Sequence, residues 1–268
     1  CGALRASCEP MEWGVLLFSQ AAVDTGDLAR LLVPTSDSLG DAWRATAFDD
    51  SAWTVGPTGV GYEQSTGYEP YIATDVGSTM YGANPSIYIR IPFEVVDPYA
   101  VSSLTLRMMY DDGFVAWLNG EPIASRNAPS QLLWNSTAPN YHGDSTPMVY
   151  EDFDVSVHVD DLHVGSNVLA IHGLNEGITS SDFLMVPELI AQVDDSVFHV
   201  VESDPVDGAF LAEMPSHIGL RFSETVSAGS LDSSDLSLNG TPAVDFSVLA
   251  ADEVRFDLPV GLAAGVYD

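Results

Sequence analysis

Short apolar runs bounded by turn residues recur along the chain, and in one long segment apolar and polar positions alternate with the period of two that is typical of half-buried β-strands. In the segment 87–95, apolar side chains occupy every second position. Pro92 has no backbone N–H to donate, which predicts that this strand runs along a sheet edge or carries a bulge. Further strands are predicted at 104–109, 114–118, 153–159, 168–173 and 187–193. No window of about a dozen residues has a helical period, so the pattern predicts an all-β fold, a β-sandwich or jelly roll.

Turn-forming residues separate these strands. Asp111-Asp112-Gly113 lies between two of them, and Asn119-Gly120 predicts a two-residue hairpin because both residues tolerate positive φ. The glycine-rich segment 56–61 follows no parallel strand and opens no helix. It is therefore predicted to be a turn rather than a phosphate-binding loop.

The chain changes character around 194–205, which predicts two domains. Strands recur at shorter spacing beyond this point, at 218–222, 236–238, 244–249 and 254–258. This spacing is typical of an immunoglobulin-like sandwich, which needs about 100 residues. We therefore expect a first domain at 24–195 and an immunoglobulin-like domain at 196–268 that is incomplete at its C-terminus. Residues 1–23 lack the basic and apolar regions of a signal peptide, and they are expected to be the tail of an upstream region.

The charge balance excludes several partners. The 268 residues include 39 acidic and 8 basic side chains, a formal charge of −31, and all eight cations are scattered arginines. No basic patch exists to neutralise phosphates, so nucleic acid is an unsuitable partner. The apolar runs are far shorter than the ~20 residues that span a bilayer, so no membrane insertion is expected. A hydrophobic content of 46% also excludes a disordered polyanion.

Cysteine usage and acidity favour export. Cys1 and Cys8 leave the rest of the chain free of thiols, so a disulfide between them can close only a small local loop. Carboxylates in this number keep a protein surface hydrated. We therefore expect a secreted or cell-surface protein.

The sequence contains no catalytic signature. It has no G-x-S-x-G elbow, no H-E-x-x-H pair and no Walker loop, and none of its six histidines reaches a metal-ligand spacing on one strand face. A glycosidase needs two carboxylates across a cleft, and no pair stands out among 39. The chain is therefore expected not to be an enzyme.

Paired aspartates are the candidate metal ligands. Ca²⁺ prefers six to eight oxygen ligands from carboxylates and turn carbonyls. Asp111 with Asp112, or Asp49 with Asp50, together with Asp182, can supply such oxygens. A structural Ca²⁺ is one interpretation of these pairs. The other is that they are solvated turns.

Aromatic residues in predicted loops are the candidate ligand-binding groups. Within the long connection 123–149, Trp134 and Tyr141 are placed to meet the apolar face of a sugar ring. Asn135 and Asn140 can hydrogen-bond sugar hydroxyls, and Arg126 adds a planar set of donors. Because residues 24–195 carry 25 acidic residues and 5 arginines, the expected glycan is neutral or weakly charged.

Four segments in a fixed order form a recognisable series. They are FDDSAW at 48–53, YIRIPF at 88–93, YDDGFVAWLNG at 110–120, and GSNVLAI at 165–171 followed by Leu174-Asn175. The series resembles the galactose-binding-like jelly roll, including the sugar-binding domain of family-two glycoside hydrolases. It is more similar still to a module repeated in very large secreted proteins of planctomycetes and related marine bacteria.

The resemblance covers about 27–193. It implies a non-catalytic role, since the catalytic acids of those hydrolases lie on a separate barrel. Residues 197–268 resemble a bacterial immunoglobulin-like domain, with PVDG at 205–208 and FSETV at 222–226.

Two hypotheses follow for the function. The first is a non-catalytic carbohydrate-binding or adhesive accessory module of an exported multidomain protein. Its partners are an extracellular glycan and the other domains of the same polypeptide. The alternative is a structural spacer or cell-surface scaffold segment without a ligand. A concave, exposed aromatic face at Trp134 and Tyr141 favours binding, whereas inward packing of both rings favours the spacer.

Overall fold

The structure is a computed structural model, and it describes residues 17–143, 147–194, 198–206 and 213–262. The described residues divide into two compact units, one of residues 17–194 and one of the described residues from 198 onward. The expectations for Cys1, Cys8 and Asp207-Gly208 lie outside the described residues.

The first unit contains twelve β-strands. They are β1 Leu17–Val23, β2 Leu28–Leu32, β3 Thr54–Pro57, β4 Val60–Glu63, β5 Thr74–Asp75, β6 Ser86–Val95, β7 Val101–Asp111, β8 Gly113–Leu118, β9 Glu121–Arg126, β10 Glu151–Asp154, β11 Gly165–Leu174 and β12 Asp182–Asp194. Among the described residues the helices are short. They are one α-helix, Gly77–Met80, and the 3₁₀ helices Ala42–Arg44, Glu69–Tyr71, Pro98–Ala100, Ser156–Asp161 and Ser233–Asp235.

The strands form two six-stranded sheets. In the first sheet the order is β10-β7-β12-β4-β5, with β1 also paired to β12. In the second sheet the order is β3-β2-β6-β11-β8-β9. From β6 to β8 and again from β10 to β12, consecutive strands alternate between the sheets. The unit is a jelly-roll β-sandwich, and the all-β prediction is confirmed.

The core lies between the two sheets because strand side chains alternate in direction. On β6, Ile87, Ile89 and Ile91 are completely buried in the sandwich core, whereas Tyr88 and Arg90 face outward. A second, smaller cluster therefore covers the outer face of the second sheet. Its buried members are Trp43, Trp53, Tyr88, Trp117 and Ala170.

Two local predictions differ from the structure. The strand containing Pro92 has a neighbour on each side, and its register with β11 runs through Val168 and Pro92 without a bulge. Because β2 pairs only with residues 88–90, Pro92 lies beyond the β2 ladder and needs no donor there. The strand predicted at 153–159 ends at Asp154, and a 3₁₀ helix follows at Ser156–Asp161.

The first unit begins at Leu17 rather than at residue 24. β1 pairs antiparallel with β12, from Leu17 opposite Asp194 to Val23 opposite Leu189. Residues 17–23 therefore belong to the first sheet.

The second unit has its own small core. β13 Val200–Asp204, β14 His217–Phe222, β18 Glu253–Asp257 and β17 Asp245–Ala250 form one antiparallel sheet in that order, and β15 Ser237–Leu238 pairs with β16 Thr241–Pro242. Val254 and Phe256 are buried at its centre. The immunoglobulin-like assignment of this unit stays a prediction.

All seven arginines in the described part of the chain form ion pairs. The pairs are Arg30–Asp50, Arg44–Asp41, Arg90–Asp50, Arg107–Glu188, Arg126–Glu151, Arg221–Glu202 and Arg255–Asp257. No helix in the described residues is long and apolar enough to cross a membrane.

Candidate functional site

Buried polar side chains concentrate at one end of the sandwich, where β6, β8 and β12 begin and β4, β7 and β11 end. The polar residues buried there are Asn84, Ser86, Asp111, Asp112, Asn175 and Asp182. Buried polar groups need hydrogen-bond partners. Much of that bonding goes to the connection after β9, at 127–143, which we call the end loop.

The first half of the end loop is fixed by side chains and backbone of the strand ends. Ser86 Oγ donates to the carbonyl of Ser136 at 2.6 Å, and Asn84 Nδ2 contacts the carbonyl of Trp134 at 3.4 Å. The backbone N–H of Ala138 donates to the carbonyl of Asn175 at 2.9 Å. Residues 134–138 are therefore held against the sandwich.

Asp112 fixes the second half of the end loop. Its carboxylate accepts the backbone N–H of His142 at 2.7 Å and that of Glu176 at 2.8 Å. Asn127 Nδ2 donates to the Asp112 carbonyl at 3.1 Å, and Asn127 Oδ1 accepts from the Asn140 backbone at 3.2 Å. The loop approaches so closely here that a Cβ added to Gly113 would lie 2.5 Å from the Asn127 carbonyl oxygen.

The two aromatic residues predicted to bind a ligand differ in exposure. Trp134 is half-buried and packs against the aromatic cluster on the outer face of the second sheet. Tyr141 is 58% exposed, and Asn135 is also exposed. Both the backbone and the side-chain amide of Asn140 donate to Asn127. The end loop thus presents one exposed ring and one half-buried ring.

Arg126 is directed to a different part of the molecule. Its Nε donates to Glu151 Oε1 at 2.8 Å, and its guanidinium lies 4.6 Å from the centre of the Phe153 ring. These contacts join the edge strands β9 and β10 across an open cleft of about 580 Å³. The guanidinium therefore bridges the two sheets at their edges.

The predicted metal ligands fall into two groups. Asp50 pairs with Arg90 at 2.7 Å and with Arg30 at 3.7 Å, while exposed Asp49 accepts from the backbone of Ser51. Asp111, Asp112 and Asp182 are buried together at the end of the sandwich that carries the end loop.

The donor set at this end does not form a metal cage. Both carboxylate oxygens of Asp112 already accept backbone N–H groups. Among the described residues, no group of three or more His, Cys, Asp or Glu side chains is arranged to hold a metal ion. Calcium stays a prediction from the sequence.

Tyr62 lies beside two of these carboxylates. Burial is the main cause that raises the pKa of its hydroxyl, and the charges of Asp182 and Asp111 raise it further. Its hydroxyl donates to the carbonyl of Ser180 at 3.0 Å and accepts from Asn175 Nδ2 at 3.0 Å. Tyr62 is therefore a neutral, fully engaged part of the end of the sandwich.

The outer aromatic cluster contains a buried histidine. The ring of Trp43 stacks on Tyr88 with centroids 4.1 Å apart, and His172 meets Tyr88 edge-on at 4.8 Å. Burial lowers the pKa of His172 to about 3, and the positive charge of Arg44 lowers it further. The imidazole is therefore neutral at physiological pH.

Sequence reasoning missed the residues that hold the end loop in place. Asn84 and Asn127 carry no motif, Asn175 is part of the fourth segment of the series but has no predicted role, and the sequence predicts Asp112 as a turn residue or metal ligand rather than as an acceptor for two backbone groups. The positive φ of Asn127, 48°, is typical of asparagine, but asparagine is also common in ordinary turns. No local sequence signal distinguishes an asparagine that anchors a loop from one that lies in an ordinary turn.

Several solved structures are similar to this chain. One is a calcium-binding mutant of β-glucuronidase 2 from Bacteroides uniformis, with 12% identity and a TM-score of 0.40 over 77% of this chain and 22% of that one. A β-glucuronidase from an uncultured Clostridium sp. has 10% identity and a TM-score of 0.41 over 93% and 40%. A β-glycosidase from Bacteroides vulgatus has 12% identity and a TM-score of 0.37 over 89% and 29%.

The chain spans less than half the length of each of these structures. No protein-family model matches the chain, and no curated protein matches it. The assignment of the sandwich rests on the strand order and registers of the chain itself.

Proposed function

We propose that residues 17–194 form a non-catalytic carbohydrate-binding module of an exported multidomain protein, with an extracellular glycan as ligand. The observation that supports this best is the construction of the end loop. Its backbone is hydrogen-bonded to buried side chains at both halves, while Tyr141 is 58% exposed. A fixed loop loses little conformational entropy on binding, which favours recognition by a few side chains.

The chemistry of the end loop suits a neutral sugar. The rings of Tyr141 and Trp134 can contact apolar C–H faces of a pyranose, and the exposed amide of Asn135 can donate to hydroxyls. The high density of carboxylates repels polyanions. Asn140 and Arg126 stay predicted ligand-binding residues. The side chain of Asn140 already bonds to Asn127, and that of Arg126 bonds to Glu151.

A binding experiment on the whole chain tests the proposal. A glycan array identifies neutral ligands, and calorimetry then compares wild type with Tyr141→Ala and Trp134→Ala. We expect each substitution to weaken binding about tenfold, a loss of about 1.4 kcal/mol, because each removes a stacking ring. Tyr99→Ala is the matched control, since Tyr99 is also an exposed tyrosine (70%) but lies in the 3₁₀ helix Pro98–Ala100.

Two results would overturn this assignment. Unchanged affinity in both Tyr141→Ala and Trp134→Ala would remove the end loop as the site. Failure of every neutral glycan to bind would favour the structural spacer. Because Trp134 also packs against the aromatic cluster, the Tyr141 variant carries the conclusion if Trp134→Ala unfolds.

Calcium is a separable part of the proposal. A ligand that binds only the folded state raises the melting temperature by mass action. We expect the chain to melt at a higher temperature in Ca²⁺ than in chelator, with Mg²⁺ at equal ionic strength as the control. If the melting temperature is the same in Ca²⁺, in Mg²⁺ and in chelator, the module does not bind calcium in its folded state.

A further inference from the structure

A second concave site lies on the outer face of the first sheet, and none of the predicted ligand-binding or metal-binding residues lines it. It is a cavity of about 370 Å³. Its floor is formed by Met109 on β7 and Val186 on β12, which are directly paired in the sheet. Tyr71, Tyr150 and Thr25 add walls from three segments that are distant in sequence.

A carboxylate held by three hydrogen bonds borders this cavity, and a carboxylate can accept about four. Glu188 Oε1 accepts from the Tyr150 hydroxyl at 2.7 Å and from Thr25 Oγ1 at 3.1 Å, and Glu188 Oε2 accepts from Arg107 Nη1 at 2.5 Å. The Glu188 side chain is only 13% exposed. Its orientation is therefore fixed, and the nearby guanidinium offsets its charge.

Tyr150 is held on both its ring and its hydroxyl. The Arg107 guanidinium lies 4.3 Å from the centre of the ring, and the same guanidinium donates through Nε to Asp152 at 3.2 Å. Burial is the largest cause that raises the pKa of Tyr150 to about 12, and contact with Glu188 raises it further, whereas contacts with Thr25 and Arg107 oppose the shift. The phenol is therefore a neutral, oriented group at all physiological pH values.

The lining has the composition of a small polyol site. Ligand pockets are mostly apolar with a few placed polar groups, and their volumes begin at about 300 Å³. Here two tyrosines and two aliphatic side chains provide the apolar part, while Glu188 and Thr25 provide acceptors for hydroxyl protons. A volume near the lower limit favours a single ring over an extended chain.

We propose that this cavity is a second carbohydrate site, which takes one neutral pyranose between Tyr71, Tyr150 and the Glu188–Thr25 pair. The site lies apart from the end loop, because its floor is the outer face of the first sheet, whereas Trp134 of the end loop packs on the outer face of the second sheet. A negatively charged sugar is excluded because its carboxylate would meet Glu188 in a strongly acidic protein. The Arg107 guanidinium cannot offset the charge of such a sugar, because it already pairs with Glu188 and Asp152.

The test uses the whole chain and a panel of neutral methyl pyranosides of gluco, galacto and manno configuration. Saturation-transfer NMR and calorimetry measure binding to wild type, Tyr71→Ala and Tyr71→Phe. Tyr71 is half-buried and stands on a 3₁₀ helix at the cavity wall, so its truncation leaves the strands intact. We expect Tyr71→Ala to weaken binding at least tenfold and Tyr71→Phe to retain it.

A second variant addresses the polar half of the cavity. Glu188→Gln preserves shape but replaces one acceptor oxygen with a donor, and it should weaken pyranoside binding about tenfold. A melting curve for each variant separates loss of binding from loss of folding, because a purely structural Glu188 would change stability without changing the affinity of the folded protein.

The outcomes distinguish this site from the end loop. Binding lost in Tyr71→Ala and kept in Tyr141→Ala supports the cavity. Binding lost in Tyr141→Ala and kept in Tyr71→Ala overturns the cavity and leaves the end loop as the carbohydrate site. Absence of binding to every pyranoside also overturns this inference, whatever the glycan array shows for longer oligosaccharides.

Discussion

Arg90 and Asp50 form a hydrogen-bonded ion pair, with Arg90 Nε 2.7 Å from Asp50 Oδ2. The Arg90 side chain is only 4% exposed, and it also donates to the main-chain carbonyls of Trp43 and Ala45. One guanidinium thus ties the segment that carries Trp43 to the outer face of the second sheet.

Replacement of Asp50 by Asn should destabilise the protein by about 2–3 kcal/mol, because it leaves a buried guanidinium without its closest counter-charge. Urea denaturation measures the change. Asp49→Asn is the matched control: it removes the same charge one residue earlier, at an exposed position. Equal effects of the two substitutions would show that the Arg90–Asp50 pair has no special role.

The side chain of Asn119 should stabilise the protein beyond the positive φ that its turn requires. Its φ is 52°, and Gly120 follows with a φ of 100°. The side chain also donates to Asn167 Oδ1 at 2.7 Å and accepts from the Val168 backbone at 2.9 Å. Asn119→Gly keeps the backbone freedom but removes these bonds.

We therefore expect Asn119→Gly to lower the free energy of unfolding by about 2 kcal/mol, since buried partners lose their hydrogen bonds. Asn239→Gly is the control in a second Asn-Gly turn, where Asn239 has a φ of 49° and is exposed. Chemical denaturation of both variants gives the comparison. A similarly small change in the unfolding free energy of both variants would show that the Asn119 side chain adds nothing beyond its turn conformation.

His172 should make the protein less stable in mild acid. The unfolded chain takes up a proton on this side chain below its ordinary pKa of 6.5, whereas the folded chain does so only near pH 3. Stability therefore falls as the pH drops through this window, by about 2 kcal/mol between pH 7 and pH 5.

The variant His172→Phe isolates this contribution. It retains an aromatic ring among Trp43 and Tyr88 but cannot titrate. The difference in unfolding free energy between pH 7 and pH 5 should be smaller in the variant by about 2 kcal/mol. An NMR titration that places the His172 pKa above 6 would contradict the prediction.

Asp112→Ala should release the second half of the end loop. The substitution leaves the backbone N–H of His142 without its acceptor, at a cost of about 1–3 kcal/mol, whereas the backbone N–H of Glu176 keeps the side-chain oxygen of Asn175 at 2.8 Å. Hydrogen exchange at the His142 amide should accelerate more than at the Glu176 amide or at core amides such as that of Ile89. If exchange is unchanged, the loop is held by its other contacts alone.

The sequence predicted those parts of the fold that depend on local signals. Strand β6 shows alternation over its own length, β8 and β11 are short apolar runs bounded by turn residues, and Asn119-Gly120 specifies its hairpin without help from the rest of the chain. The short strands β3, β4 and β5 escaped detection because two to four residues are too few to show a period. The segment 153–159 is predicted as strand because its valines have high β propensity, although Ser156–Asp161 forms a 3₁₀ helix.

The candidate sites were harder to predict because their contacts join distant residues. Tyr150 and Glu188 are 38 positions apart, and Thr25 and Glu188 are 163 apart. Ser86 meets the end loop 50 residues later. No spacing rule links such positions, whereas the exposed aromatic character of Tyr141 is visible from its polar neighbours alone.

The complete pairing of the arginines has a consequence for how the protein responds to its medium. Every described guanidinium is already matched with a carboxylate, so most of the acidic residues have no cation of the chain to face. The mutual repulsion of these carboxylates opposes folding. Dissolved salt screens this repulsion between charges that are more than about 10 Å apart at ~0.1 M ionic strength. The partly buried pairs, Arg90–Asp50 above all, are screened much less. Added sodium chloride should therefore raise the free energy of unfolding, so that the protein is more stable in concentrated salt than in dilute buffer.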